Sequence, residues 1–337
     1  MNTYPAGKLP HAELGRLLAA YTHHHEHLLV PPTLGEDAAV IEFGDRLLVV
    51  KTDPITFATD QIGWYAVHVN ANDIAAMGAV PRFFLSTILL PARQATPALA
   101  ESIFRSIYEA ATSLDIVVCG GHSEITHGID RPLVIGQMFG ETTRDKLVRS
   151  SGLEPGHALI LSKGLGIEAT AIIALEKQDE LLARGYDNNT LDACAAFLHT
   201  PGISVVQDAN IATGVGRVTA MHDPTEGGVV TGLYELATAS NVGIEIDHDA
   251  LFVAPETTRL CAEFSLNPLG IISSGALLIG CELGSAEAIL TALKANDIAA
   301  TRIGTVHEPS FGLQLHRNGH LSPLPTFATD EITRLFT

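Results

Sequence analysis

An alternation of strand-like and helix-like segments along the whole chain is the feature that most constrains its fold. The segment 83–90 is apolar almost throughout, which is typical of a buried strand, and 98–114 then has the spacing of an amphipathic helix. The second half repeats this order, with a strand predicted over 158–162 and a helix over 167–177. Because strands that alternate with helices pack as layers, the pattern predicts an α/β (α+β) fold.

The chain length and one turn sequence predict two domains. A length of 337 residues suits two domains, and the sequence Leu-Glu-Pro-Gly at 153–156 marks a boundary. We therefore predict an N-terminal domain over 1–152 and a C-terminal domain over 153–337. Further helices are predicted over 9–30, 62–77, 190–198, 226–239, 255–264 and 285–295, and further strands over 38–41, 46–52, 116–119, 133–139, 243–247, 276–281 and 300–306.

The charge balance and the lack of long apolar runs argue against several classes of protein. Only 20 Lys and Arg residues face 38 Asp and Glu residues, giving a net charge of −18, so we expect no binding to nucleic acid phosphates. No uncharged apolar run reaches the roughly 18 residues of a membrane span. Residues 1–11 lack the apolar core of a secretion signal, which predicts a cytoplasmic protein. The four cysteines show no metal-ligand spacing and are predicted to be reduced thiols.

Short acidic and glycine-rich motifs stand at predicted turns and carry the chemistry. Asp37 precedes a predicted strand, Asp53 ends one, and Asp73 lies inside an otherwise apolar helix, where an unpaired carboxylate costs several kcal/mol. If these three acids converge, each pair repels by about 4 kcal/mol at about 4 Å and an effective dielectric constant of about 20. A divalent cation removes this repulsion, and ligands that are all oxygen suit Mg²⁺. The motifs occupy 35–41, 51–54, 70–81, 119–124 and 221–228.

Two sequence patterns that bind nucleotides in other proteins bear on the function of this chain. It has no G-x-x-x-x-G-K-[ST] motif, which excludes a P-loop. The sequence at 164–169 does match the dinucleotide pattern G-x-G-x-x-A after a predicted strand, but the polar stretch 178–189 that follows predicts no second strand. We interpret the glycine turn as a phosphate-approach or domain-packing loop, with a dinucleotide-dependent oxidoreductase as the less favoured alternative.

In their order along the chain, the motifs resemble one superfamily. It contains aminoimidazole ribonucleotide (AIR) synthase, thiamine-monophosphate kinase, selenophosphate synthetase and the hydrogenase maturation factor HypE. The Asp-Pro-Thr-x-Gly-Gly sequence at 223–228 and the Ser-Gly pair before a predicted strand are most similar to the HypE branch. The resemblance rests on 35–41, 52–53, 72–81, 120–124, 163–166, 222–228 and 273–277.

The resemblance implies a fold, a dimer and a nucleotide site. Two layered domains of the AIR synthase type are expected, with the N-terminal domain pairing with its copy in a homodimer and ATP with Mg²⁺ bound in a cleft between domains. It implies that the metal-binding acids are Asp37, Asp53, Asp73 and Glu124, and that the nucleotide contacts are Asn72, Gly120, Gly121, Thr52, Lys163 and Gly164. Asp223 matches the acid near the reacting end of ATP.

Three basic residues have predicted roles with open alternatives. Lys51 and Lys163 are candidates to offset the charge of the triphosphate, and the alternative for each is a solvated lysine. His222, next to Asp223, is a candidate catalytic proton relay, and a structural histidine is the alternative.

Departures from the HypE pattern predict a different substrate. HypE acts on a carbamoyl group carried by its own C-terminal cysteine, whereas residues 330–337 here contain no cysteine. Glu226 stands where HypE generally has arginine, which suggests a substrate of different charge. We predict a HypE-like, Mg²⁺–ATP-dependent enzyme that activates an oxygen of an unknown small substrate by phosphoryl transfer. The alternative is a non-catalytic ATP-binding scaffold or sensor.

Overall fold

Two β-sheets with packed helices organise the part of the chain that the computed structural model describes, namely residue 4 and residues 8–33, 35–56 and 58–336. The first sheet has the order β1-β2-β3-β6-β4-β5, and its only parallel pair is β4 with β5 among these residues. The strands of this sheet and the helices between them are α1 (His11–Tyr21), β1 (Leu28–Val30), β2 (Ala39–Phe43), β3 (Arg46–Ile55), α2 (Ile62–Ala76), β4 (Val80–Pro91), α3 (Pro97–Ser113), β5 (Val117–Thr126) and β6 (Leu133–Thr142).

The second sheet has the order β13-β12-β9-β11-β7-β10-β8. Strand β7, which precedes the glycine turn, runs antiparallel to both of its neighbours, β10 and β11. Since a dinucleotide-binding fold needs a parallel sheet around its glycine turn, this pairing argues against the oxidoreductase alternative. The elements are β7 (Ala158–Ser162), α4 (Ile167–Glu176), α5 (Gln178–Ala183), α6 (Asn188–Ala195), α7 (Val206–Val215), β8 (Val218–His222), α8 (Gly228–Ser240), β9 (Gly243–Asp247), α9 (Pro255–Glu263), β10 (Leu278–Cys281), α10 (Ala286–Ala295), β11 (Ala300–His307), β12 (Leu313–Arg317) and β13 (His320–Pro323).

Helix α2 is the central element of the molecule and carries Asp73. Every residue of the helix except Trp64 is buried, because it contacts β3 and β6 on the first sheet, α3 beside it and α7 from the second half. One apolar core runs from the first sheet through Ile74 into Ile172 of the second half. Each such side chain contributes about 2 kcal/mol on burial. Polar groups on α2 therefore lie in a buried, water-poor junction.

The structure confirms the two layered α/β domains, and no described helix is long and apolar enough to cross a membrane. The last strand of the first sheet ends at Thr142 and the first strand of the second begins at Ala158. The predicted boundary between 152 and 153 stays a prediction, and its outer limits, Met1 and Thr337, lie outside the described residues.

Two predicted elements are wrong at their ends. The helix predicted over 9–30 ends at Tyr21, because the apolar residues Leu28 and Val30 pair with β2 as a strand. The strand predicted over 116–119 continues to Thr126, so the Gly-Gly motif lies inside an edge strand rather than at a turn. At Gly121 the backbone has φ +152°, and a Cβ atom there would lie 2.1 Å from the Ser86 carbonyl oxygen, so close strand pairing requires glycine.

Candidate functional site

Three buried carboxylates from distant parts of the chain meet between the two sheets. Oxygen atoms of Asp37, Asp73 and Asp223 all lie within 4.8 Å of one another. The three residues are only 5%, 4% and 2% exposed, respectively. Asp37 precedes β2, Asp73 lies in the last turn of α2, and Asp223 directly follows β8. The fold thus concentrates negative charge at one buried point.

Lys51 connects this cluster to Asp53, another of the predicted metal-binding acids. Its Nζ atom lies 2.9 Å from Asp73 and 3.3 Å from Asp53. Burial alone would lower the pKa of Lys51, but the carboxylates of Asp73 and Asp53 outweigh burial and raise it, so the ammonium stays charged. Asp53 is itself fixed by Asn70, whose side-chain oxygen accepts a 2.9 Å hydrogen bond from the Asp53 backbone N–H. Asn70 has no assigned role in the sequence-based prediction.

The acids leave oxygen atoms without protein partners. Asp73 Oδ2 and both carboxylate oxygens of Asp223 are buried and have no hydrogen-bond partner in the described ranges. Burial raises the pKa of Asp73 to about 8 against the opposing effect of Lys51, and burial with Asp73 and Asp37 raises the pKa of Asp223 well above its usual value. Because these donors are all oxygen, the cluster fits a hard divalent cation such as Mg²⁺.

His222 links Asp37 to Glu235. One ring nitrogen, Nδ1, is hydrogen-bonded to Asp37, and the other, Nε2, lies 2.8 Å from Glu235, which also lies 3.3 Å from His11. Burial would lower the pKa of His222, but the two carboxylates outweigh it and raise the pKa well above 6.5. Glu235 and His11 are missed by the sequence-based prediction, since neither stands in a motif.

Two of the predicted nucleotide contacts, Asn72 and Lys163, bind protein groups in this structure. Asn72 Nδ2 donates to the Ile203 carbonyl and Asn72 Oδ1 accepts from the Val205 N–H, both at 2.8 Å. The ammonium of Lys163 lies 3.2 Å from the buried carboxylate of Asp208. Both side chains therefore fix the segment 203–208 in this structure, and their roles toward ATP stay predictions.

The glycine motif of β5 does not contribute to the three-acid group. Gly120, Gly121 and Glu124 belong to the exposed edge strand β5, and Glu124 lies 3.5 Å from His122. The carboxylate of Glu124 is not among the three that converge. A role for these residues at a nucleotide would involve the open face of β5, and it stays a prediction.

Thr52 and Gly164 have local structural partners. Thr52 Oγ1 donates a 2.8 Å hydrogen bond to the Gly136 carbonyl, which ties β3 to β6. A Cβ atom at Gly164 would lie 2.8 Å from the Phe252 carbonyl oxygen, and φ is +156° there. The glycine turn thus packs closely against Phe252 within the C-terminal half, and its role as a phosphate-approach or domain-packing loop stays a prediction.

Comparison with known proteins places the chain in a family. Residues 35–142 match the N-terminal domain of AIR synthase related proteins, and residues 154–316 match the C-terminal domain. The chain belongs to the AIR synthase related family. The family's two domains correspond to the two sheets, so the superfamily predicted from the motif order is confirmed.

Relatives within this family carry the name HypE. Carbamoyl dehydratase HypE of Escherichia coli is 28% identical over 279 residues, which cover 80% of this chain and 79% of that protein. The protein of the same name from Rhizobium leguminosarum bv. viciae is 28% identical over 274 residues, covering 79% and 75%. These relatives confirm the prediction of an enzyme related to HypE.

Solved structures show the same fold. The crystal structure of E. coli HypE superposes with a TM-score of 0.73 at 25% identity, covering 86% of this chain and 88% of that one. A hydrogenase maturation protein HypE in complex with ATP superposes with a TM-score of 0.72 at 22% identity, covering 95% and 91%.

Proposed function

We propose that the protein is a Mg²⁺–ATP-dependent enzyme that activates an oxygen atom of a small substrate by phosphoryl transfer. The observation that carries this proposal is the convergence of Asp37, Asp73 and Asp223 at the junction of the two sheets, where oxygen atoms of Asp73 and Asp223 have no hydrogen-bond partner among the described residues. Related enzymes named carbamoyl dehydratase, and a neighbouring structure that holds ATP, support the choice of nucleotide chemistry.

The donor set fits the metal that this chemistry needs. Asp37, Asp73 and Asp223 would hold Mg²⁺, and Asp53 stands next to them through Lys51. Bound Mg²⁺ would neutralise the charge on the phosphate oxygens during transfer. The chain supplies the positioning: His222 orients the Asp37 carboxylate, and Asn70 fixes the backbone at Asp53. Carboxylates fixed in advance need little reorganisation when a substrate arrives.

Isothermal titration with ATP tests the proposal, with and without Mg²⁺. The wild-type protein should bind ATP with Mg²⁺ and lose at least about tenfold in affinity in Asp223→Asn, since one charged ligand is removed. Asp192→Asn, an exposed acid on α6, is the matched control and should behave as wild type. No binding at millimolar ATP would contradict the proposal. Binding without turnover of ATP on any carboxylate or amide acceptor would favour the scaffold alternative instead.

The open face of β5 supports the predicted homodimer, which we also propose. The strand pairs only with β4 among the described residues, so its other edge is free. Val117, Val118 and Ile125 on it are exposed, as is Phe83 on β4. An exposed apolar edge strand is a site for association. Light scattering should give twice the chain mass, and a monomer at micromolar concentration would count against the dimer.

A further inference from the structure

A cavity of about 380 Å³ adjoins the acid cluster. It is lined by the end of β3 with Asp53, by Glu168 of α4, and by Thr225 and Glu226 of the loop after β8. Because Lys51 joins Asp53 to Asp73, this cavity opens next to the group of three acids. Its volume suits a small metabolite.

Glu168 is a buried acid, and no Lys, Arg or His of the described residues forms an ion pair with it. The residue is 4% exposed, and its Oε2 atom has no hydrogen-bond partner in the part of the chain that the structure describes. Burial raises the pKa of Glu168 to about 7, although Ser274 beside it acts in the opposite direction. The charged neighbours that raise this pKa further, Asp330 and Glu226, are themselves acids. An ionised carboxylate in such a place costs several kcal/mol until a donor pairs with it.

The two basic residues that line the cavity do not provide that donor. Lys8 donates a 3.2 Å hydrogen bond to Thr225 Oγ1, and its charge acts on Glu226. Arg131 also lines the cavity. Over the described ranges, neither forms a hydrogen bond or an ion pair with Glu168. The Oε2 atom of Glu168 is thus available to a ligand.

We propose that this cavity is the acceptor subsite and that Glu168, together with Glu226, binds a protonated amine or guanidinium group of the acceptor substrate. This inference rests on the proposed function, because it assigns a substrate class to the same site. An ammonium or guanidinium group would donate charge-assisted hydrogen bonds to the free carboxylate oxygen. A carboxylate placed there would meet like charge and lose affinity.

Titration with three matched probes tests the inference. Cadaverine, 1,5-pentanediol and glutarate share one carbon chain length and differ in charge. With Mg²⁺ and a non-hydrolysable ATP analogue present, cadaverine should bind at least about tenfold more tightly than the diol, and glutarate should not bind. Equal affinity for the diol, tighter binding of glutarate, or no binding of cadaverine would overturn the inference.

Matched variants identify the residue. Glu168→Gln should weaken cadaverine binding by about tenfold or more while affinity for the ATP analogue stays unchanged. Glu287→Gln, an exposed acid on α10, is the control for the loss of one charge. If Glu168→Gln does not fold, Glu226→Gln provides the same test. Unchanged cadaverine affinity in the folded variant would contradict the assignment.

The same titrations separate this inference from the proposed function. If the ATP analogue binds but the probes show no preference for an amine, only the acceptor assignment fails. If the ATP analogue does not bind, the proposed function fails, and titration of the nucleotide-free protein with cadaverine still decides whether Glu168 binds a cation.

Discussion

Replacing Asp223 with asparagine should stabilise the metal-free protein and reduce the stabilisation that Mg²⁺ provides. Neither carboxylate oxygen of Asp223 has a hydrogen-bond partner in the described ranges, so the substitution removes charge without breaking a hydrogen bond seen there. The side chain is also nearly isosteric, so packing around it is kept. Asp37 and Asp73 supply two like-charged neighbours within 4.8 Å.

The size of the effect follows from these distances. At 4.8 Å and an effective dielectric constant of about 20, each pair repels by about 3.5 kcal/mol, which is about 7 kcal/mol for two pairs. Protonation limits this cost, because placing a proton near pH 7 on a carboxyl group of ordinary pKa 3.8 costs about 4.4 kcal/mol. Lys51 lies within the same group and lowers the repulsion further. We therefore expect the variant to gain stability, by at most about 4 kcal/mol, which is the cost of protonation.

Urea unfolding, monitored by circular dichroism, measures the free energy of unfolding of each variant, first in EDTA and then in about 10 mM Mg²⁺. Wild type, Asp223→Asn and the surface control Asp192→Asn should be compared under both conditions. The Asp223 variant should be the most stable of the three in EDTA, and it should gain less from Mg²⁺ than the other two. The reasoning is refuted if the variant is less stable in EDTA and gains as much from Mg²⁺ as wild type.

Two other predictions concern stability. Asn72→Ala should destabilise the protein by about 3 kcal/mol, because the Ile203 carbonyl and the Val205 N–H would lose their buried partners. Urea unfolding measures this loss, with the exposed Asn189→Ala as the control. Equal stability of the two variants would contradict the role of Asn72 in joining the domains. The raised pKa of Glu168 means that the folded protein holds this proton more tightly than the unfolded chain does, so stability should fall by about 3 kcal/mol as pH rises from about 4.5 to about 7. Glu168→Gln should remove this part of the fall despite the nearby acids Glu226 and Asp330, and identical pH profiles of variant and wild type would show that Glu168 does not cause it.

The acids at the site could be found in the sequence because each is out of place in its local pattern. Asp73 interrupts an apolar helix, and Asp37 and Asp53 stand beside strand-like runs, so each needs a partner. The structure shows that Asp223, rather than Asp53, completes the closest group of carboxylates. Sequence spacing could not distinguish these two, because the choice depends on how the second sheet packs against α2.

Other parts of the site depend on contacts that leave no local signal. Glu235 contacts His222 from helix α8, and the Asn70 side chain binds the backbone N–H of Asp53. Neither contact depends on a recognisable sequence motif. The roles of Asn72 and Lys163 as links to the segment 203–208 depend on α7, a helix that the sequence-based prediction omits. The exposure of β5 likewise depends on the edge position of this strand in the sheet, which apolar patterning does not show.

The central claim is that acids far apart in the sequence form one metal-dependent nucleotide site. A crystal grown with Mn²⁺ and a non-hydrolysable ATP analogue, and measured at the manganese absorption edge, locates the metal directly. We expect an anomalous peak at coordination distance from carboxylate oxygens of Asp37, Asp73 and Asp223, with the triphosphate beside it. A bound nucleotide whose metal lies away from all three carboxylates would contradict the account.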